Sequence, residues 1–315
     1  MTYKIDKPLF KWTGGKNKMK SLYAGDFWPE RPFTRFIDCF YGGGSISHWV
    51  LERYPDTEFV INDQNSELIQ MYEVIRDHYQ EFIEEVLRLE AGHLAILIPF
   101  DRSQKYNTTE QYKQRHAYYT AHKLKYINDY QAMGRIVESA HLYYLMKTSF
   151  NGWWKIYNYS NGRYATPAGL LSEKTNFIDP QLVKQHSDFF KHRCTILNGD
   201  FEIVKPYVTP QTYVYFDPPY RDSTTVYTDV GFNDREQIRL CDFFKWIDSI
   251  GGMVSLSNKE IGDGFFQQHL AGHDIKIYNV LYTAGRGTTT NHVQECFVRN
   301  FTSAPDGRAL FDFNE

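Results

Sequence analysis

Short apolar runs that alternate with helical patterns are the feature that most constrains the fold of this chain. Runs rich in Val, Ile, Phe and Tyr have the length and composition of buried strands at residues 35–40, 58–62, 193–197, 212–216 and 252–256. Helical patterns lie between several of them, at residues 45–53, 66–78 and 234–250, and Gly251 is placed to end the last helix. This alternation predicts an α/β fold with a doubly wound, mostly parallel sheet.

The last apolar runs predict a different connection. Residues 277–283 and 293–299 have the pattern of an antiparallel hairpin at the end of the sheet, joined by a long loop over residues 284–292. The sheet is therefore expected to be parallel except at one end.

The alternation is interrupted in the middle of the chain. Between residues 79 and 190, helical patterns rich in Tyr, Gln, Lys and His dominate, and no clear strand appears. We therefore expect one domain built from residues 1–78 and 191–315, and an inserted, mainly helical domain over residues 79–190.

Composition limits the class of protein. The 315 residues are 42% hydrophobic, which is enough for a buried core in one or two domains. No apolar stretch has the length of a membrane-spanning helix, and the first residues lack the apolar core of a signal peptide. These features predict a cytoplasmic protein with no membrane contact.

Cysteine and histidine spacing gives no sign of a metal site or a disulfide framework. The four cysteines are scattered without a CxxC pair and are expected to be small core residues: Cys39, Cys194, Cys241 and Cys296. Paired histidines lack metal-ligand spacing and are expected at the surface: His116, His122, His186 and His192. We therefore expect no bound metal.

The net charge of -3 excludes a uniformly basic nucleic-acid binder, but the charge is unevenly distributed. Residues 101–126 hold six Lys or Arg against two Asp or Glu, interleaved with tyrosines. Such a segment in the insert is typical of a phosphate-binding surface, with Lys113, Arg115 and Lys123 as candidate contacts. The alternative is a solvated helix face with tyrosines on its core side.

A glycine-rich segment follows the first predicted strand. Phe40 and Tyr41 precede Gly42, Gly43 and Gly44, which lead directly into a helix. Glycines at the carboxyl end of a parallel strand allow a nucleotide-like ligand to approach the backbone. The segment lacks the GxGxxG of dinucleotide sites and the GxxxxGK[ST] of phosphate-binding loops.

About twenty residues later the second strand ends in Asn62-Asp63. An acid at this position is placed to accept hydrogen bonds from ribose hydroxyls. The two segments together indicate an adenosine-ligand site. The alternative is a tight turn at the glycines and a helix cap at Asn62-Asp63.

The most informative segment is a hydrophobic strand that ends in Asp217-Pro218-Pro219-Tyr220. Two prolines fix φ and remove two donors, which leaves the Asp217 carboxylate and the Pro218 carbonyl as neighbouring acceptors. An exocyclic amine offers two N–H donors on a flat ring that Tyr220 can stack on. The alternative is a strand-terminating turn with a capping Asp.

These segments closely resemble the Dam-like DNA adenine-N6 methyltransferases of bacteria and phages. The resemblance rests on Phe10-Lys-Trp-Thr-Gly-Gly-Lys16, Phe40-Tyr-Gly-Gly-Gly44 and Asp217-Pro-Pro-Tyr220. Further matches occur in the family's order at residues 62–69, 150–152, 164–167, 199–201 and 256–258.

The resemblance implies a Rossmann-like methyltransferase sheet that binds S-adenosylmethionine at the glycine-rich loop. Phe40, Gly42, Gly43 and Gly44 would line the cofactor, and Asp63 would hold its ribose. Trp12 and Lys16 would close over its methionine end, and Asp200 and Phe201 would contact its adenine.

The resemblance also implies the reaction. An adenine flipped out of double-stranded DNA would stack on Tyr220 while Asp217 and Pro218 accept its amine hydrogens. The methyl group would then transfer directly, without a metal or a covalent enzyme intermediate.

Base reading in the resembling enzymes maps onto the insert. It corresponds to Asn151 and Lys155 and to the stretch from Arg163 to Pro167. Separately from the resemblance, Arg286 in the long hairpin loop is a further candidate DNA contact, and the alternative there is a plain loop. Family members that act on GATC carry Leu and Arg where this chain has Trp153 or Trp154 and Lys155. Lysine lacks the two-donor fork that Arg offers to guanine, so a different or relaxed target site is expected.

Two other functions fit the same fold. Cytosine N4 methylation would use the same acceptors, and a non-catalytic DNA-binding subunit would keep the sheet. The intact amine and cofactor motifs favour a catalytic enzyme over a non-catalytic subunit. A monomer is expected, with a dimer on DNA as the alternative. A restriction partner, a solitary role and a phage role all remain open.

Overall fold

A computed structural model of the protein describes residues 4–12, 14–16, 19–96, 110–169, 177–221, 232–283 and 290–304. For residues 281–283 and 290–292 it describes the backbone alone. Arg286, expected at the DNA, lies outside the described residues. None of the described helices is both long enough and apolar enough to cross a membrane.

The centre of the protein is a seven-stranded sheet with the order β3-β2-β1-β4-β5-β7-β6. The strands are β1 (Arg35–Asp38), β2 (Glu58–Asp63), β3 (Cys194–Asn198), β4 (Thr212–Phe216), β5 (Met253–Glu260), β6 (Asp274–Thr283) and β7 (Thr290–Arg299). The first five are parallel, and β7 lies antiparallel between β5 and β6. The predicted doubly wound sheet with a terminal antiparallel hairpin is confirmed.

Helices pack against both faces of this sheet. They are α1 (Lys20–Tyr23), α2 (Ser45–Arg53), α3 (Ser66–Leu94), α4 (Glu110–Asn128), α5 (Tyr130–Met133), α6 (Arg135–Thr148), α7 (Pro180–His192), α8 (Asp234–Ser249) and α9 (Phe265–His269). Short 3-10 helices lie at Phe150–Gly152, Asn158–Ser160 and Phe201–Tyr207.

Alternation along the central strands produces two apolar cores, one on each face. In β4, Tyr213 and Tyr215 belong to one core, while Val214 and Phe216 belong to the other. Successive side chains of a strand point to opposite faces, so a fully buried strand contributes side chains to both cores. The sheet order also reverses between β1 and β4, and ligands bind at such a switch point outside the carboxyl ends of the strands.

Helix α3 is longer than the sequence pattern predicted. Its expected end was residue 78, where His78 has φ −140° and ψ 41°, but the helix continues beyond this kink to Leu94. The Asn65 side chain accepts hydrogen bonds from Glu67 N and Leu68 N and so caps its start.

Helices of the expected insert pack closely on the sheet domain. Helix α3 crosses the expected boundary and packs against α6 and α7, and α7 also contacts β3. The division at residues 79 and 190 therefore stays a prediction.

One histidine prediction was wrong. His186 was expected at the surface, but it is buried, with Nε2 3.1 Å from the Lys7 carbonyl oxygen and its ring 4.8 Å from that of His48. Burial lowers the pKa of His186 to about 4, so it packs as a neutral ring. Within the described ranges, no group of three or more His, Cys, Asp or Glu is arranged to hold a metal ion.

Candidate active site

A cavity of about 990 Å³ opens at the carboxyl ends of β1, β2 and β4. It lies at the switch point of the sheet, where this fold class binds its ligands. All the residues expected at the cofactor and the target amine line this one cavity, except Asp200. The structure therefore joins sequence segments that are far apart along the chain; Lys16 and Tyr220 are 204 positions apart.

Asp217 lies where the buried strand β4 ends. Its Oδ1 atom accepts a hydrogen bond from Ser257 Oγ at 3.1 Å and lies 2.7 Å from Lys16 Nζ. Its other oxygen, Oδ2, accepts no hydrogen bond from the described part of the chain. The carboxylate is thus held through one oxygen, which leaves the second to accept from a ligand.

Lys16 is almost fully buried, with 2% of its surface exposed. Its Nζ contacts the Tyr220 hydroxyl and lies 4.4 Å from the centre of the Tyr220 ring. Sequence resemblance placed Lys16 at the methionine end of a cofactor, but the structure pairs it with Asp217 and Tyr220. This pairing could not be predicted from local sequence, because Asp217 and Tyr220 lie far from Lys16 along the chain.

The charge state of Asp217 depends on opposing effects. Burial raises the pKa of its carboxyl group, and the adjacent Lys16 ammonium opposes that rise. The Glu295 carboxylate, buried on β7, raises the pKa of Asp217 further. Lys16, and to a smaller extent the Ser257 hydroxyl, therefore favour an ionised Asp217.

Buried amide groups hold the backbone that follows Asp217. Gln237 Nε2 donates to the Pro219 carbonyl at 2.9 Å, and Asn258 Nδ2 donates to Gln237 Oε1 at 3.0 Å. Asn258 Oδ1 in turn accepts from the backbone N–H of Arg221 at 3.2 Å. Residues 217–220, which we name the acceptor turn, are thus fixed on both sides of Tyr220. Gln237 was not predicted, because nothing in its neighbours along the sequence marks it.

The Arg221 side chain closes the same turn. Its guanidinium group pairs with Asp234 at 2.9 Å and with Asp263 at 2.8 Å, and lies 4.0 Å above the Phe265 ring. Only 7% of Arg221 is exposed. The residue after the acceptor turn is thereby anchored to α8 and to the segment before α9.

The glycine-rich loop is a close-packed turn. Gly42 and Gly44 have φ of +46° and +72°, which favours glycine. Trp12 packs on the loop, and a Cβ atom on Gly43 would lie 2.9 Å from Trp12 Cβ. Larger residues would therefore displace Trp12 from the cavity wall.

Asp63 joins the end of β2 to this loop. Its Oδ2 accepts from Gly42 N at 2.8 Å, and its Oδ1 accepts from Asn65 N at 2.9 Å. The side chain that caps α3 is Asn65, so Asp63 is not the helix cap that the alternative interpretation required. Burial raises the pKa of Asp63, and both backbone hydrogen bonds oppose that effect.

Three phenylalanines form an aromatic wall of the cavity. The Phe40 ring centre lies 5.9 Å from that of Phe201 and 5.7 Å from that of Phe232. Phe232 was not singled out in the sequence. Asp200 does not line the cavity: its carboxylate pairs with Arg239 and accepts from Glu202 N. Asp200 caps the 3-10 helix that follows it, and its expected contact with the cofactor's adenine stays a prediction.

Asp38 is a cavity residue that sequence reasoning missed. It ends β1 and is 3% exposed, and its Oδ2 accepts from Ser47 Oγ at 2.7 Å. Burial raises the pKa of Asp38 to about 7. The available signal was an acid two residues before Phe40 at the end of a buried strand.

Two of the expected DNA contacts have structural roles instead. Arg115 is 4% exposed and its Nε donates to the Ile96 carbonyl at 2.7 Å. Arg163 lies 3.1 Å from Glu67, pairs with Glu138, and has its guanidinium carbon 3.6 Å from the Tyr130 ring centre. Both side chains serve the fold, which argues against phosphate contacts.

The other expected DNA contacts are accessible. Lys113 and Asn151 are exposed, Lys123 and Lys155 are half-buried, and Pro167 is exposed. Asn151 has a φ of +56° within the 3-10 turn that follows α6. Trp153, close to it, lines the cavity. The turn thus lies beside the candidate site, whereas Lys113 and Lys123 lie on α4.

This arrangement has the fold of a Rossmann-like methyltransferase, with Asp217 to Tyr220 at the cavity as the expected amine site. The chain matches the family model of the D12 class N6 adenine-specific DNA methyltransferases over residues 12–285. The protein belongs to this family and is a DNA methyltransferase that acts on the N6 amine of adenine. The predicted family and activity are confirmed.

Named relatives agree with the family. The chain is 32% identical over 285 residues to the Type II methyltransferase M.MjaIII of Methanocaldococcus jannaschii, which covers 86% of this chain and 90% of the relative. It is 30% identical to the Type II methyltransferase M1.LlaDCHI of Lactococcus lactis subsp. cremoris, over 80% of this chain and 81% of the relative. The Type II methyltransferase M.CviBI of Paramecium bursaria Chlorella virus NC1A is 27% identical over 76% of this chain.

Proposed function

We propose that the protein methylates a flipped adenine in double-stranded DNA, with S-adenosylmethionine as methyl donor. The observation that supports this most is the Asp217 carboxylate, held through Oδ1 by Lys16 and Ser257 at the edge of a 990 Å³ cavity. Pro218, whose carbonyl is the second expected acceptor, also lines this cavity.

The cavity residues fit this donor. Phe40, Phe201 and Phe232 offer flat apolar surfaces for its adenine, and the Asp63 carboxylate is a hydrogen-bond acceptor for its ribose. Asp38 supplies a buried carboxyl group for a positively charged ligand. When bound, S-adenosylmethionine supplies a methyl group on a positively charged sulfur.

The residues of the acceptor turn orient the target amine. Asp217 Oδ2 and the Pro218 carbonyl accept its two N–H groups, which directs the nitrogen lone pair out of the plane of the base. The Tyr220 ring stacks on the flipped base. Positive charge that grows on the nitrogen is stabilised by the Asp217 carboxylate, so catalysis is mainly positioning and electrostatic stabilisation.

The DNA surface extends from the mouth of the cavity. Lys7, Lys11, Lys147 and Lys259 line the cavity and supply positive charge toward phosphates. Asn151 and Lys155 lie on the adjoining segment and are the candidates for base contacts, with Lys155 Nζ 4.8 Å from the Trp153 ring centre. Lysine at this position favours a target site other than GATC.

The names of the relatives support a biological setting. M.MjaIII and M1.LlaDCHI are Type II methyltransferases, so we infer that this enzyme protects DNA beside a restriction endonuclease. We expect it to act as a monomer.

Methyl transfer and cofactor binding test this proposal together. The purified protein is incubated with S-adenosylmethionine and mixed-sequence duplex DNA, and the digested nucleosides are identified by mass spectrometry. We expect N6-methyladenine, and an Asp63→Ala variant with at least tenfold weaker cofactor binding by calorimetry. Accumulation of N4-methylcytosine alone would contradict the assignment of the amine, and unchanged affinity in Asp63→Ala would contradict the ribose contact.

A further inference from the structure

Two tyrosine–serine pairs repeat along the neighbouring parallel strands β4 and β5. Tyr213 Oη lies 2.7 Å from Ser255 Oγ. Two residues further along both strands, Tyr215 Oη lies 2.8 Å from Ser257 Oγ. In each pair the serine lies two residues beyond the β5 residue that is paired with the tyrosine, so the two pairs are geometrically equivalent.

The surroundings of the two tyrosines are also closely matched. Tyr213 and Tyr215 are fully buried, and both belong to the same apolar core. Both rings pack on the ring of Phe27, with 5.3 and 5.5 Å between ring centres. The main difference between the pairs is therefore where their hydroxyl groups donate.

The second pair donates toward the active site. Ser257 Oγ donates to Asp217 Oδ1 at 3.1 Å. A hydroxyl group has one proton to donate, so Ser257 is the acceptor in its bond with Tyr215, and Tyr215 is the donor. A chain of donors thus runs from Tyr215 through Ser257 to the Asp217 carboxylate, and Tyr215 itself lines the cavity.

The first pair donates in another direction. Tyr213 Oη donates to the Phe27 carbonyl at 3.0 Å, so the Ser255 hydroxyl is the donor between the two side chains. That chain of donors ends on a backbone oxygen of the core. The protein therefore contains a built-in control for the pair that ends on Asp217.

Burial and charge strengthen the chain that ends on Asp217. Hydrogen bonds to an ionised acceptor are roughly twice as strong as those between neutral groups. In a low-dielectric interior, successive hydrogen bonds also polarise one another, so the Tyr215 hydroxyl strengthens the bond that Ser257 donates. Loss of the Tyr215 proton donor should therefore loosen the contact at Asp217 Oδ1.

We infer that Tyr215 is a positioning residue for methyl transfer, which acts through Ser257 to fix the orientation of the Asp217 carboxylate. This inference rests on the proposed function. A carboxylate that is held in one orientation presents its acceptor atom to the target amine at a fixed place. Because a misplacement of about 1 Å can lower a reaction rate about a hundredfold, even partial loosening should be measurable in kcat.

Kinetics of two matched variants test this inference. Tyr215→Phe and Tyr213→Phe each remove one buried hydroxyl group and keep the ring. We expect Tyr215→Phe to lower kcat about tenfold, with the cofactor Kd and the KM for duplex DNA within about twofold of wild type. Tyr213→Phe should keep kcat within about twofold, although both variants lose a similar free energy of unfolding.

A double-mutant cycle tests whether Tyr215 acts through Ser257. Ser257→Ala removes the group that contacts Asp217, so the Tyr215 hydroxyl then has no path to the carboxylate. We expect Tyr215→Phe to change the kcat of the Ser257→Ala enzyme by less than about twofold, so that the two effects are not additive. Fully additive effects on kcat would overturn the inference.

The remaining outcomes separate the inference from the function on which it rests. If the wild type methylates adenine while Tyr215→Phe and Tyr213→Phe have equal kcat values, the inference is wrong and the proposed function stands. A loss of cofactor affinity in Tyr215→Phe as large as its loss of kcat would also overturn the inference, because Tyr215 would then support the cavity in general. A wild type that transfers no methyl group to adenine would overturn the proposed function and the inference with it.

Discussion

Lys16 Nζ lies 2.7 Å from Asp217 Oδ1, inside the cavity that we assign to the target amine. The ammonium group opposes the effect of burial and of Glu295 on the pKa of Asp217. The pair therefore favours the ionised form of the carboxylate and is made through its Oδ1 atom. A residue that resemblance assigned to the cofactor thus contacts the proposed catalytic group.

Replacement of Lys16 should shift the pH dependence of turnover. In Lys16→Met the pKa of Asp217 rises, so a higher pH is needed to ionise it. We expect the acidic limb of kcat, at saturating cofactor and DNA, to move to higher pH, whereas Lys16→Arg should keep it near the wild-type position. If the acidic limb of the pH profile of kcat stayed in place in Lys16→Met, Lys16 would not set the ionisation of Asp217.

Gln237 should act as a positioning residue for the acceptor turn. Gln237→Leu removes the donor to the Pro219 carbonyl and the acceptor for Asn258. We expect kcat to fall about 10- to 100-fold while the cofactor Kd stays unchanged, because misplacement affects the reacting groups and not the cofactor wall. Gln185→Leu, which removes a hydrogen bond to Asp6 at the surface, is the control. Equal kcat values for the two variants would remove Gln237 from this role.

Asp38 should make the free energy of unfolding depend on pH. Burial raises the pKa of Asp38 from 3.8 to about 7, so its folded form retains a proton that the unfolded chain releases. The contribution of this group is therefore most favourable below pH 4 and is lost as the pH rises toward 7. Relative to wild type, Asp38→Asn should gain on the order of 2 to 3 kcal/mol between pH 5 and pH 8. Denaturant unfolding at both pH values measures this, and a pH-independent difference would contradict it.

Arg163 should contribute mainly to stability. Arg163→Leu leaves Glu67 and Glu138 without their shared counter-charge. We expect a loss of about 3 kcal/mol in the free energy of unfolding, as for a buried ion pair that is broken on one side. Thermal and denaturant unfolding test it. A variant of unchanged stability whose DNA affinity falls would instead return Arg163 to the DNA surface.

Local motifs allowed much of the site to be predicted from the sequence. Gly42 to Gly44 and Asp217 to Tyr220 each combine a strand end with a distinctive backbone requirement, so neighbours along the chain define their place. The alternation of strands and helices gave the sheet in the same way. The predicted α3 was too short, because the sequence pattern ends at His78 whereas the helix continues beyond the kink there.

Long-range packing could not be predicted in this way. A count of charges along residues 101–126 does not indicate which face of α4 is buried, so Arg115 was assigned to DNA although its side chain lies in the interior. Likewise, the pairing of Lys16 with Asp217, and of Arg163 with Glu67, depends on tertiary contacts between distant segments.

The role of Asp217 is the central claim, and single-turnover methyl transfer by Asp217→Asn tests it most directly. Cofactor affinity is measured on the same variant by calorimetry. We predict that the transfer rate falls at least a thousandfold, roughly 4 kcal/mol of transition-state stabilisation, while the cofactor Kd changes less than threefold. A transfer rate within tenfold of wild type would contradict the account.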